Sequence, residues 1–312
     1  MKELEFINII KNTLTDSSFI GDDTAFAEGF VFTQDTLVED VHFRLSTMNA
    51  FELAQKAVAV NLSDIAASGA MPCYLLISLS LPSYLDASFV ESFYQGVEQF
   101  CSKYAIKVLG GDITGSEKVF VSICAIGKAK KQIKRSFAKE GDVVFTTGNH
   151  GSSRAGLEIL EKNLDFDEKF ILAHKLPTPK IKEGSVIAEV CDSPALMDSS
   201  DGLLDALYKI AFASDVTLEV DFETVPYDSG IKKLSSDWRD WVLFGGEDYE
   251  LVGSVRESDF AKIQKVLSLH KIGHVVAKSD FPVIIKKDGE SWKITKEIIE
   301  NMSYDHFKKG PQ

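Results

Sequence analysis

Histidine and cysteine are scarce in this sequence, 6 and 4 among 312 residues, and neither is spaced for chemistry. Cys73, Cys101, Cys124 and Cys191 form no C-x-x-C pair and each sits in an apolar segment, so they read as buried thiols rather than disulfides or zinc ligands. His270 and His274 are four apart, but no third ligand accompanies them and Gly273 breaks any helix between them, which argues against zinc. The common signatures of nucleotide and acyl chemistry are also missing: there is no G-x-x-x-x-G-K-S/T, no G-x-G-x-x-G after a first strand, no H-R-D with D-F-G, and no G-x-S-x-G. A phosphoryl-transfer enzyme on this chain must therefore hold its nucleotide through metal ions more than through a phosphate-cradling loop. Positive charge is short as well, with 34 Lys and Arg against 47 Asp and Glu and a formal net charge of -13, which excludes a nucleic acid as the default partner. No apolar run approaches a membrane span, and Met1-Lys2-Glu3-Leu4-Glu5-Phe6 carries acids and soon turns polar, unlike a secretory signal, so a cytoplasmic protein is expected.

What the chain has instead is acid on tight turns. Gly21-Asp22-Asp23, Gly110-Gly111-Asp112, Asp198-Ser199-Ser200-Asp201-Gly202 and Gly245-Gly246-Glu247-Asp248 follow apolar runs that read as strands, while Asp35 and Asp64 stand singly in apolar context. Lys107-Val108-Leu109-Gly110-Gly111 is expected to deliver Asp112 directly out of a core strand. Oxygen ligands without a matching set of histidines or thiolates suit magnesium or manganese, and magnesium most often serves phosphate substrates.

Asp64 is the most telling residue. Ala57, Val58, Val60, Leu62, Ile65, Ala66 and Ala67 make its helix apolar nearly all round, and an ionised carboxylate in a core helix is costly unless it is paired or binds a metal. Asp22 and Asp23 are adjacent in extended backbone, so one of them faces a common site, and Asp23 is the expected one. Asp35 arrives nearby in Thr33-Gln34-Asp35-Thr36. Asp198 to Gly202 precedes Leu203, Leu204 and Leu207 at helical spacing, a loop that can cap the helix and also present free N–H groups to a phosphate. Gly148-Asn149-His150-Gly151-Ser152-Ser153-Arg154 has the same strand, glycine turn and helix start. Trp238 and Trp241 are expected in the core.

Along the chain, Leu4, Ile7, Ile10 and Leu14 predict an amphipathic opening helix that stops at Thr15-Asp16-Ser17-Ser18. Strands are expected at Gly29 to Gln34, Pro72 to Leu81 and Val119 to Ile126, and helices at Phe51 to Ser68 and through Phe89, Phe93, Val97, Phe100 and Tyr104. A basic stretch from Lys128 to Lys139 marks the expected boundary between two domains, residues 1–137 and 138–312, and most of its side chains are expected in solvent. From Asp142 onward helix and strand alternate, so the fold class is α/β.

Taken in order, GDDTAF (21–26), TQDTLVEDVHF (33–43), KAVAVNLSDIAASGA (56–70), GGDIT (110–114), DSSDGL (198–203), FGGEDYEL (244–251) and YDHF (304–307) resemble the thiamine-monophosphate kinase family. The resemblance implies a two-domain α/β (α+β) fold of the aminoimidazole ribonucleotide synthetase type. Its N-terminal mixed sheet forms a homodimer and carries metal and ATP, and its second half is a C-terminal α/β domain. It implies transfer of the γ-phosphoryl of ATP to thiamine monophosphate with several Mg2+ ions and no catalytic side chain. By position, Asp23, Thr33, Gln34, Asp35, Asp64, Asp112, Asp198 and Asp201 correspond to metal ligands. Tyr94, Gly111, Asp112, Arg135 and Ser200 correspond to ATP contacts, and His42, Glu247 and Phe307 to contacts with the thiamine phosphate. Gln34 stands where Thr is usual, and Glu39-Asp40 where a Gly is often found. Relatives that activate selenium or mature hydrogenase would carry a reactive N-terminal Cys or selenocysteine, or a C-terminal Cys, whereas this sequence ends Lys309-Gly310-Pro311-Gln312. The alternatives left open are a related ATP-dependent synthetase and a Mg2+-dependent phosphohydrolase acting on another small phosphorylated metabolite.

Overall fold

In the computed structural model of the chain, the described residues are 3–304, 306 and 307. Met1 and Lys2 of the opening segment, Asp305 of the YDHF run, and the end through Lys309-Gly310-Pro311-Gln312 lie outside the described residues. Helix α1 (Glu3–Thr13) forms where its periodicity predicts and gives way to an Asx turn in which the Asp16 carboxylate accepts from the Ser18 N–H. Its apolar side stays largely uncovered, with Ile10 and Leu14 about half exposed at 48% and 49%.

Strands β1 (Ala25–Ala27), β2 (Phe30–Val38), β3 (Met71–Leu81), β4 (Lys107–Gly115) and β5 (Phe120–Lys128) form the first sheet in the order β1-β2-β5-β3-β4. All pairs are antiparallel except β3 with β4, which α3 (Ala87–Tyr104) connects. Between β2 and β3 runs α2 (Ala50–Ala67), started by a capping box between Asn49 and Glu52 and buried along nearly its whole length, as its apolar surface requires. Leu75, Ile77 and Leu79 point from β3 into this core. Cys101 and Cys191 are buried as expected, but Cys73 and Cys124 are only partly so. Cys73 lies at a register shift between Pro72 and Tyr74, and Cys124 faces the opposite side of β5 from the buried Ile123 and Ala125.

The expected core strand at Lys107–Leu109 is corrected by the structure. β4 is the sheet edge and every residue of it, Asp112 included, is exposed in the single chain. A hydrophobic run reports that a strand will be buried somewhere, not that its own chain will bury it.

The second sheet takes β6 (Val143–Thr146), β7 (Ala195–Asp198), β8 (Thr217–Asp221), β9 (Leu251–Val255), β10 (His270–Val276), β11 (Val283–Lys287) and β12 (Glu290–Ile294) in the order β12-β11-β8-β10-β6-β9-β7. His270 and His274 therefore sit on a strand, about 13 Å apart at ~3.3 Å per residue, too far to share a metal. Around the sheet lie α4 (Ser152–Lys162), α5 (Glu168–Lys175), α6 (Ile181–Val190), α7 (Leu203–Ser214), α8 (Trp238–Phe244), α9 (Glu257–Ile263) and α10 (Lys296–Met302). The two halves share one core. Helix α6 lies so close on α2 that a Cβ at Gly184 would stand 2.0 Å from the Ala66 carbonyl oxygen. No described helix is long and apolar enough to cross a membrane.

Candidate active site

Three carboxylates from distant parts of the chain converge where the halves meet. Asp23 comes from the loop before β1, Asp64 from the last turns of α2 and Asp198 from the end of β7, and their oxygens lie within 4.8 Å of one another. Each is held by a neighbour that suits an ionised acid. The Thr33 hydroxyl donates to Asp64 Oδ2 at 2.5 Å, and the Ser63 hydroxyl donates to Asp198 Oδ2 at 2.5 Å. Asn61 Oδ1 accepts from the Asp35 N–H at 3.1 Å and so fixes the strand that carries Asp35. Asp198 Oδ1 is buried with no hydrogen-bond partner, an atom whose desolvation a cation would offset.

Burial raises the proton affinity of the whole group, and mutual repulsion adds to it. Desolvation pushes Asp23 up to about 7 despite the Arg135 guanidinium, with Asp198 and Asp22 contributing. Asp35 rises to about 6 through burial and then through Asp201 and Asp23. Asp198 rises to about 6 through burial, against its bond from Ser63. Asp64 is driven well above the ordinary carboxylate range by burial and by Asp35, Asp198 and Asp23. Two cations flank the cluster. Arg135 places Nε 3.1 Å from Asp22 Oδ1 and Nη2 2.5 Å from Asp23 Oδ1, so one side chain of the basic connector turns inward. Lys209 on α7 bridges Asp201 at 3.0 Å and Asp205 at 2.6 Å.

Asp64 and Asp198 of the cluster stand on the wall of a pocket of about 900 Å³. Asp35, Asp64, Asp198, Ser200 and Asp201 line it, and His42, Arg154, His174, Glu247, Tyr304 and His306 extend it. The Ser200 carbonyl accepts from the Glu247 N–H at 2.7 Å, which ties the acid loop after β7 to the loop before β9. His42 Nδ1 accepts from the Val38 N–H at 3.0 Å, and its ring lies 5.0 Å from that of His306. Desolvation, with His306 and Lys56 nearby, lowers His42 to about 4, so its imidazole is neutral at physiological pH.

The remaining expected residues land elsewhere. Alternation on β2 turns Thr33 and Asp35 toward α2 and sends the Gln34 side chain to the other face, where its amide donates to Ser122 Oγ at 3.3 Å. Asp112 does not join the cluster. Gly111 is required by packing, since a Cβ there would stand 1.7 Å from the Ile77 carbonyl oxygen of β3. Tyr94 is partly buried on α3, edge-on to Phe93 at 5.6 Å. Phe307 lies against Phe6 with ring centroids 4.9 Å apart, leaving Tyr304 and His306 of the same run to line the pocket. The glycine turn before α4 offers less to a phosphate than its sequence suggests. Asp248 already accepts from the N–H groups of Gly151 at 2.5 Å and Ser153 at 2.8 Å.

Several residues in or beside the pocket escape a reading of the sequence. Lys56, wholly buried on α2, places Nζ 3.1 Å from Glu247, and His174 Nδ1 lies 3.3 Å from the same carboxylate. Lys56 does carry a signal, a charge inside an apolar helix, the same signal that singled out Asp64 eight residues on. Nothing local marks Lys209 or His174.

Comparison with known proteins agrees with this arrangement. Residues 21–129 match the family model for the AIR synthase related protein, N-terminal domain. A thiamine-monophosphate kinase of Bacillus subtilis (strain 168) is 37% identical across 99% of this chain and 100% of its own length, and one of Aquifex aeolicus (strain VF5) is 39% identical across 98% of each. A solved structure described as AaThiL complexed with AMPPCP and TMP superimposes with a TM-score of 0.87 at 34% identity, covering 98% of this chain and 97% of that one. With its acid motifs in order, its two-sheet fold and relatives that match it end to end, the chain belongs to the thiamine-monophosphate kinase family.

Proposed function

We propose that this chain transfers the γ-phosphoryl group of ATP to thiamine monophosphate, forming thiamine diphosphate and ADP, with Mg2+ ions held by Asp23, Asp64 and Asp198. The observation that carries the reading is the convergence of these three carboxylates, one with an unpaired buried oxygen, with Asp64 and Asp198 on the wall of a pocket large enough for two phosphorylated ligands. An all-oxygen donor set of this kind fits a hard divalent cation. Bound there, Mg2+ would supply the positive charge that lets two polyanions approach.

The residues of the chain do the rest by position. The acceptor is a phosphate oxygen, ionised near neutral pH because its second pKa is about 6, so no general base is needed. Arg135 and Lys209 sit where phosphate oxygens compete with Asp23 and Asp201 for them. Thr33 and the Gln34 backbone, Asp35 and Asp201 complete the metal surroundings, and Ser200 and Tyr94 belong to the ATP side. His42, Glu247 and the aromatic end with Phe307 belong to the thiamine side.

Asp112 and Gly111 fit the same scheme if β4 meets a second copy. An edge strand exposing Val108, Leu109 and Ile113 beside an acid is suited to a homodimer in which residues 1–137 supply the contact and 138–312 the second half of each pocket. Incubation with ATP, Mg2+ and thiamine monophosphate, followed by separation of products, tests the function. Thiamine diphosphate with equimolar ADP is expected. Free phosphate without thiamine diphosphate would instead establish a phosphohydrolase.

A further inference from the structure

Lys56 has no part in the cluster, yet it is among the largest side chains with no exposure at all. It rests on α2 eight residues before Asp64, about 12 Å along the helix at ~1.5 Å per residue, so one rigid helix carries both. Its Nζ lies 3.1 Å from both oxygens of Glu247, which keeps 27% of its side chain open to the pocket. His174, from α5, approaches the same carboxylate at 3.3 Å and in turn meets the Ser153 hydroxyl at 3.1 Å. Glu247 also holds a left-handed backbone, φ 67, a conformation that a non-glycine residue keeps only where its surroundings enforce it.

We infer that Lys56 is a positioning residue for the acceptor: it anchors the Glu247 carboxylate so that the remaining oxygen lone pairs accept from the exocyclic amino group of the thiamine pyrimidine. The inference rests on the kinase reading above and extends it to specificity. Glu247 alone, on a strained loop, could swing to solvent or pair with a metal in the nearby cluster. Pinned by a buried cation on the helix that bears Asp64, it stands at a fixed distance from the transferring phosphoryl group. The neighbouring imidazoles sharpen the preference for an N–H donor. Burial, with Lys56 close by, lowers His174 to about 4, so this imidazole adds no positive charge beside the oriented carboxylate.

The test compares thiamine monophosphate with oxythiamine monophosphate, in which a carbonyl replaces the amino group. The wild type should prefer the amino compound by at least ~10²-fold in kcat/KM, because a site built to accept an N–H rejects an analogue that lacks it. Lys56→Met should raise KM for thiamine monophosphate about tenfold or more, leave KM for ATP within about twofold, and bring the two acceptors within a few-fold of each other. Glu247→Gln should do the same, and Lys56→Met/Glu247→Gln should be no worse than either alone. Equal losses for ATP and acceptor, or a preference that survives in Lys56→Met, would overturn the role. Should Lys56→Met fail to fold, Lys56→Met/Glu247→Leu removes both charges; retained preference in that variant, or failure of both to fold, also overturns it. Wild-type protein that makes no thiamine diphosphate would overturn the kinase reading instead, and product identification scores that first.

Discussion

Replacing Asp64 by Asn puts the carboxylate cluster to a test in which stability and activity move in opposite directions. The oxygens of Asp23, Asp64 and Asp198 lie within 4.8 Å of one another, and two unit charges at that separation repel by ~3.5 kcal/mol at an effective dielectric of about 20. Arg135 on Asp23 cancels part of this, so removing the Asp64 charge at nearly constant volume should relieve on the order of 2 kcal/mol in metal-free protein. Thr33 loses nothing, since the Asn carbonyl oxygen can accept the same hydroxyl. For a chain of this size the gain corresponds to a Tm rise of about 3 °C. Its pH dependence has a definite sign. The folded-state values of Asp23, Asp35 and Asp198 are raised to about 7, 6 and 6. The stability these groups contribute is complete below their unfolded values near ~3.9 and is lost as pH climbs through the folded ones. Wild-type protein in EDTA should therefore melt lower at pH 8 than at pH 5, and the advantage of Asp64→Asn should be small at pH 5 and grow as pH rises. Turnover should fall at least ~10²-fold, and the stabilisation by Mg2+ with nucleotide should shrink. Thermal melts at both pH values, with and without Mg2+ and an ATP analogue, measure all of this. A variant several degrees less stable than wild type at pH 8 in EDTA, yet equally stabilised by Mg2+ and nucleotide, would make Asp64 a structural hydrogen-bond acceptor and refute the reasoning.

Other perturbations reach different parts of the molecule. Ile113→Asp on the exposed β4 edge should convert a dimer to a monomer in light scattering at micromolar protein and reduce turnover with it; a wild type that is already monomeric would remove the assembly from the scheme. Gly184→Val forces a side chain into the Ala66 carbonyl and should cost about 2–4 kcal/mol in denaturant unfolding, since α2 and α6 must separate. Replacing Cys73, Cys101, Cys124 and Cys191 one at a time by Ser should leave turnover within a few-fold; collapse of activity in a folded variant would contradict direct transfer.

The sequence by itself settled what local pattern can settle. The extended backbone expected at Asp22-Asp23 is a bend from which both acids reach Arg135, but an acid in a helix apolar on all sides singled out Asp64, and a strand running into Ser, Asp and Gly before a leucine-rich helix located Asp198 and Ser200. These signals depend on the periodicities of helix and strand, which neighbouring residues set. Only the tertiary structure decided which groups meet. Lys56 pairs with Glu247 across 191 residues, a contact that no local period encodes. Arg135 leaves a basic connector that reads as solvated because two carboxylates waiting on another loop offset its desolvation. Asp248 closes the N-terminus of α4 that its own glycine turn advertises as open. The β4 strand, hydrophobic enough for a core, lies at a sheet edge because burial is a property of the assembled surface, and a strand's composition fixes how much apolar area must be covered without saying by what.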